Sequence, residues 1–139
     1  MNVRRNGFTI VEIMVVVIII GMLAAFVVPG VFKKVGKAKT KIARSQMALI
    51  EGQLEQFALD CERLPTDDEG LDALLSPPAG LEDNWGPKYL KDSQINDPWG
   101  IPYIYVSEGT VNTGSYDLIC LGADGEEGGE GDNADIFND

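Results

Sequence analysis

From Phe8 to Val28 every residue except Thr9 and Glu12 is apolar or glycine, and no polar face interrupts the run. A segment apolar on all sides is predicted as a helix whose whole circumference leaves water. Its 21 residues would span about 32 Å, enough to cross a bilayer. After Pro29 the pattern changes. Ala43, Met47, Ile50, Leu54 and Phe57 recur at spacings of four and three, with Gln46, Glu51, Gln53 and Glu55 off that stripe. This predicts an amphipathic helix over 29–61, with one face serving as the platform on which the rest of the chain packs. The two segments would form one long helix. Pro29-Gly30 lacks one backbone donor and has low helix propensity, which makes it the expected melting point.

The stretch 62–97 is irregular. Thr66-Asp67-Asp68-Glu69 has the capping-box pattern ahead of Leu71-Asp72-Ala73-Leu74-Leu75, predicting a short helix that ends before Pro77-Pro78. Asn96-Asp97-Pro98-Trp99-Gly100 is a turn signal. Ile101 to Val106 and Tyr116 to Leu121 then read as two strands of a small antiparallel sheet within 98–139. The expected class is α+β. Trp85, Trp99 and the tyrosines are expected in the core and the turns rather than on a carbohydrate platform.

Composition narrows the chemistry. The 139 residues include 11 Lys plus Arg, 22 Asp plus Glu and no His, a net charge of −11. Without histidine there is no His-based zinc site or Ser-His-Asp triad, and two cysteines cannot close a four-ligand zinc cage. The charge is split: residues 1–44 carry eight basic and one acidic side chain, residues 45–139 three basic and 21 acidic. The basic group lies beside the apolar run, and the acidic remainder repels a phosphate backbone, so nucleic acid is not an expected partner. Two basic residues, Arg4 and Arg5, precede the span, whereas Lys33, Lys34, Lys37, Lys39, Lys41 and Arg44 follow it. The positive-inside rule taken alone therefore favours a cytoplasmic C-terminal region.

Glu12 is the informative residue, because a carboxylate inside hydrocarbon is costly unless something pairs with it. It could reach the headgroups from one end of the span. Alternatively, cleavage between Gly7 and Phe8 would create an amine one helical turn before it, which a neighbouring copy could present to Glu12. The polar leader 1–7 is unlike a secretory signal. Its small residue precedes the apolar run instead of following it.

The segment Gly7-Phe8-Thr9-Ile10-Val11-Glu12 with its Ile, Val and Met run resembles the prepilin signal of type IV pilins and type II secretion pseudopilins. Pro29-Gly30, Leu64-Pro65-Thr66, Glu69-Gly70-Leu71, Asp97-Pro98-Trp99-Gly100, Pro102-Tyr103 and Leu121-Gly122-Ala123-Asp124-Gly125 extend the likeness to the major pseudopilins of type II secretion. The resemblance implies a type IV pilin-like fold, in which the long N-terminal helix packs on a small antiparallel sheet with a calcium-binding loop. It implies that a prepilin peptidase removes the leader after Gly7 and N-methylates Phe8, and that Phe8, Glu12 and Pro29 serve assembly. The implied product is a helical homopolymer in the periplasm, anchored as a single-pass inner-membrane protein until assembly. Implied partners are minor pseudopilins, the inner-membrane assembly platform with its ATPase, and the outer-membrane secretin. No enzymatic activity is expected. This leader and this orientation override the positive-inside count, leaving the basic belt to anionic headgroups or to acidic regions of adjacent subunits. A surface pilus subunit and a membrane-anchored calcium-dependent binding protein are the alternative readings.

Residues 121–135 hold six acidic side chains among five glycines. Clustered oxygens on a pliable backbone attract a hard cation, although composition alone favours a solvated, disordered acidic tail, and the EF-hand pattern is absent. The resemblance implies one Ca2+, with Asp124, Asp132 and Asp135 as side-chain ligands and the Leu121 carbonyl as a backbone ligand; Asn133 or Glu127 could replace Asp132. Two cysteines in a periplasmic domain permit a Cys61–Cys120 bridge, worth roughly 4 kcal/mol by chain entropy, or two small buried thiols.

Overall fold

The structure is a computed structural model that describes residues 7–139; the leader residues 1–6 lie outside the described residues. Helix α1 runs from Ile10 to Cys61 without interruption at Pro29. The chain divides into two compact units, 1–36 and 37–139. In the first unit the apolar side chains of α1 are exposed on all sides, with Ile18 at 54% and Phe26 at 85%. Among the described residues α1 is the helix long and apolar enough to cross a membrane.

In the second unit the predicted stripe is the floor of the core. Ala43, Ile50, Leu54 and Phe57 are fully buried and Met47 nearly so. The helix ends at Cys61, and Glu62 takes a left-handed conformation, φ 59°, that turns the chain away. Arg63 then grips Glu69 with two hydrogen bonds of 2.7 Å each, bracing the turn that follows. Both bonds of the expected capping box form: the Thr66 amide donates to Glu69 Oε2 at 2.9 Å, and the Glu69 amide donates to Thr66 Oγ1 at 3.4 Å. They close a turn rather than an α-helix, and the segment that follows, Gly70–Leu74, is a 3₁₀-helix. It buries Leu71, Ala73 and Leu74, and a single turn suffices for that before Pro77-Pro78 ends regular structure.

The sheet has three antiparallel strands where the sequence pattern indicated two. Strand β1 is Ile104–Val106, β2 is Asp117–Cys120 and β3 is Ile136–Phe137, in the order β1-β2-β3. Tyr105 opposite Leu118 and Cys120 opposite Ile136 face the core; Ile104, Ile119 and Phe137 line up across the other face. Strand β3 escapes pattern recognition because two residues are too few to show an alternation. Strand β1 starts later than the expected Ile101 because Asp97 and Ile101 close the preceding turn, the Asp97 amide donating to the Ile101 carbonyl at 2.8 Å. Trp85 and Trp99 pack half-buried against the core, and Trp85 Nε1 donates to the Ala73 carbonyl at 2.8 Å.

Candidate functional site

The residues expected to serve processing and the start of assembly, Gly7, Phe8 and Glu12, sit at or just before the start of α1. Gly7, Phe8 and Glu12 are exposed, Phe8 at 77%. Thr9 caps the helix: its Oγ1 accepts the Glu12 amide at 3.2 Å, and its carbonyl accepts the Ile13 amide at 3.2 Å. Glu12 is thereby placed at the third helical position, where a carboxylate is favoured by the unsatisfied amides of the first turn. The sequence signal for this is Thr9-Ile10-Val11-Glu12, a capping-box spacing at the head of the apolar run. Among the described residues no ion pair uses Glu12.

The acidic loop between β2 and β3 is ordered by its own backbone. The Ala123 amide donates to the Asp132 carbonyl at 2.9 Å and the Asp135 amide to the Gly128 carbonyl at 3.2 Å, while Gly131–Asn133 forms a 3₁₀ turn. Glycine is required at two of these places. Gly122 and Gly129 have φ of 69° and 81°, and a Cβ on either would press within 3 Å of the Asn133 backbone. Asp124 Oδ1 accepts the Glu126 amide at 3.3 Å, and Asp135 Oδ2 accepts the Gly128 amide at 2.8 Å. Asp124 is exposed and Asp132 half-buried. The carboxylates are not drawn into one cluster: among the described residues no three acidic or thiol side chains converge on a metal position. One atom does fit a cation. Asp135 Oδ1 is buried without a hydrogen-bond partner. Asp135, Glu127 and Leu121 also line a cavity of about 300 Å³ whose other walls, Ile104, Val106, Thr110, Val111, Ile119 and Phe137, are mostly apolar, so the cavity itself is not a cation site. Asn133 contributes its backbone to the Gly122 and Gly129 contacts, and its residue is exposed.

Two other carboxylates hold the frame of this region: Asp97, legible in the sequence as part of a turn, and Asp117, legible only as a strand residue. Asp117 is 1% exposed. It accepts the amides of Thr110, Val111 and Asn112 at 2.7, 2.9 and 2.8 Å. Burial alone would raise its pKa, but these hydrogen bonds outweigh burial and hold it below the usual carboxylate range. Asp97 Oδ1 accepts the Trp99 and Ile101 amides at 2.9 Å, which explains the Asp-Pro-Trp-Gly turn. Its Oδ2 accepts the Cys120 thiol at 3.3 Å. Both cysteines are buried and free, so the bridge that the even count permitted is not formed and the thiol alternative is the arrangement found. Burial, with Asp97 beside it, pushes the Cys120 thiol up to about 11, leaving it a packing group rather than a nucleophile.

A model of type II secretion system protein G matches residues 30–139, and a model of the prokaryotic N-terminal methylation motif matches residues 2–28. The chain belongs to the type II secretion system protein G family. It is 44% identical over 138 residues to the type II secretion system core protein G of Pseudomonas aeruginosa, covering 97% of this chain and 95% of that one. It is 42% identical over 139 residues to the protein of the same name from Vibrio cholerae, covering 97% and 92%. The crystal structure of the major pseudopilin from the type 2 secretion system of enterohaemorrhagic Escherichia coli superposes with a TM-score of 0.59 at 29% identity, over 73% of this chain and 87% of that one. The expected α+β fold, a long apolar N-terminal helix with a small antiparallel sheet, is thus the fold of a protein G family member. The family is one of structural pseudopilins rather than a known enzyme family.

Proposed function

We propose that this protein is a pseudopilus subunit of a type II secretion system, a structural chain that self-assembles and works with the secretion machinery to export folded proteins. The observation that carries the reading is the exposed apolar surface of Phe8 to Val28, joined to a body that matches the protein G family over 30–139. Such a surface is stable only in lipid or against other apolar helices, which is what a subunit needs if it waits in a membrane and then enters a polymer. In this reading the peptidase cuts between Gly7 and Phe8 and methylates Phe8. The subunit is anchored in the inner membrane with its body in the periplasm. Glu12 receives the terminal amine of a neighbouring copy, and Pro29 is where α1 loosens on assembly. Minor pseudopilins, the assembly platform with its ATPase, and the secretin are its partners.

Calcium is part of the same proposal. Asp135, through its orphaned oxygen, and the Leu121 carbonyl would hold the ion, with Asp124 and Asp132 swinging in and Glu127 or Asn133 as alternatives. The ion would supply positive charge to a loop that gathers six acidic side chains.

Intact mass spectrometry of the membrane-extracted chain tests processing: the expected mass begins at a methylated Phe8, and a chain still beginning at Met1 in cells with the peptidase overturns it. Sedimentable polymer and secretion should both be lost in Glu12→Ala while membrane insertion persists. Wild-type polymer from that variant would remove Glu12 from assembly.

A further inference from the structure

Strand β3 holds on to the sheet with little of its own. It is two residues long, with Phe137 opposite Ile119 and Ile136 opposite Cys120, and that is below the usual length of a strand. Asn138 supplies what is missing. Its amide donates to the Leu118 carbonyl at 3.1 Å, and its side-chain Oδ1 accepts the Leu118 amide at 2.7 Å. One residue thus makes with Leu118 the exchanged pair of bonds that a longer ladder would make. Asn138 Nδ2 also donates to the Tyr116 carbonyl at 3.4 Å.

Asn112 clamps this tie from the other side. Its Nδ2 donates to the Asn138 carbonyl and to Asn138 Oδ1, both at 3.1 Å. Asn112 is itself fixed, because its backbone amide is one of the three that the buried Asp117 carboxylate accepts. The hydrogen bonds of Asn138 therefore go to Asn112, Tyr116 and Leu118, none of them in the 121–135 loop.

The path of the chain decides what this tie controls. Leu121 is the residue after β2 and Asp135 the residue before β3, so the acidic loop leaves from one strand and returns on the other. The pairing of the two strands sets the separation between the Leu121 carbonyl and the buried, unpartnered Asp135 Oδ1. If residues 136–139 peeled from β2, Asp135 would leave with them while Leu121 stayed behind. The same opening would uncover Cys120, which is fully buried opposite Ile136.

We propose that Asn138, clamped by Asn112, is the latch of a strap formed by residues 136–139, and that it is a positioning residue for the cation site, setting the calcium affinity of the 121–135 loop by keeping β3 on β2. The inference rests on the calcium reading and extends it to residues outside the acidic loop. Local opening of the strap and loss of the ion become one linked equilibrium.

Two readouts separate this latch from a general stabiliser. Cys61 and Cys120 fall on different tryptic peptides, so alkylation of each by N-ethylmaleimide can be followed by mass spectrometry in the full-length chain in detergent micelles. Cys61, buried at the end of α1, reports opening of the whole body. In calcium, Asn138→Ala should label at Cys120 at least ten-fold faster than wild type while its Cys61 rate stays within two-fold, and excess chelator should speed Cys120 labelling in the wild-type chain. Calorimetry should show the calcium Kd raised about ten-fold in Asn138→Ala and about three-fold in Asn112→Ala, which keeps the backbone amide held by Asp117. Asn84→Ala, at an exposed position elsewhere on the body, should leave it unchanged. A parallel rise at both cysteines with a wild-type Kd would make Asn138 an ordinary structural residue and overturn the latch. If Asn138→Ala does not fold, Asn112→Ala decides alone, and a wild-type Kd from it overturns the proposal. Absence of calcium binding by the wild-type chain would overturn the calcium reading and the coupling with it, whereas wild-type binding with unchanged affinity in both variants would overturn the latch alone.

Discussion

The two stretches of α1 differ in apolar content, 20 of 27 residues over 10–36 against 12 of 25 over 37–61, and have opposite fates. Over 10–36 the side chains are exposed on every side, whereas over 37–61 one stripe is buried to within 2% of completeness at Ala43, Met47, Ile50, Leu54 and Phe57. The difference lies in which side chains alternate with the apolar ones. Between Ala43 and Phe57 the intervening positions include Arg44, Gln46, Glu51, Gln53, Glu55 and Gln56, which hold the outer surface in water and leave one stripe to fold upon. Between Ile13 and Val28 nothing plays that part, so no single side can be chosen and the stretch needs lipid or other helices as its surroundings. The second stretch stabilises a monomer. The first places that monomer in a membrane and a polymer.

The comparison breaks hardest at Phe57. Truncation to Ala in the fully buried core should cost about 4 kcal/mol and lower the melting temperature of the full-length chain sharply. Calcium is the next lever, and it should act on the body alone. At 100 times the dissociation constant the ion should stabilise the fold by about 2.7 kcal/mol, visible as a melting shift between calcium and excess chelator that Asp135→Ala abolishes. Coincident melting curves for the wild-type chain in the two conditions would remove the ion from the loop. Asp117→Asn should cost about 2 kcal/mol, because a neutral amide cannot accept from the Thr110, Val111 and Asn112 amides as the carboxylate does.

A smaller effect belongs to the Arg63–Glu69 pair. Its hydrogen bonds to Arg63 bring the Glu69 pKa down to about 2, below its unfolded value. The folded state binds fewer protons there, so this stabilisation is complete above the unfolded pKa and is lost as the pH falls toward 2. Glu69→Gln should cost about 1 kcal/mol at neutral pH and flatten the acid limb of the stability curve between pH 5 and pH 2, as chemical denaturation at stepped pH would show. Smallest of all, Ile18→Ala, in the exposed apolar stretch, should leave the melting of the body unchanged and alter only membrane retention and polymer yield.

What was legible in the sequence follows from local rules. The apolar run, the amphipathic stripe and the turn at Asp97-Pro98-Trp99-Gly100 are repeated or punctuated patterns, each specified by neighbours a few residues apart. The N-terminal methylation motif over residues 2–28 is a linear pattern, so it too is legible without a fold. Tertiary structure alone decided the rest, because each remaining feature joins residues far apart in the chain. Strand β3 exists only because β2 offers Ile119 and Cys120 to Phe137 and Ile136. Asp117 is a loop anchor only once residues 110–112 fold back over it, and Cys120 is a thiol beside Asp97 rather than half of a bridge because the sheet carries it there. The orphaned oxygen of Asp135 likewise arises from burial, which the spacing of aspartates along a chain does not encode.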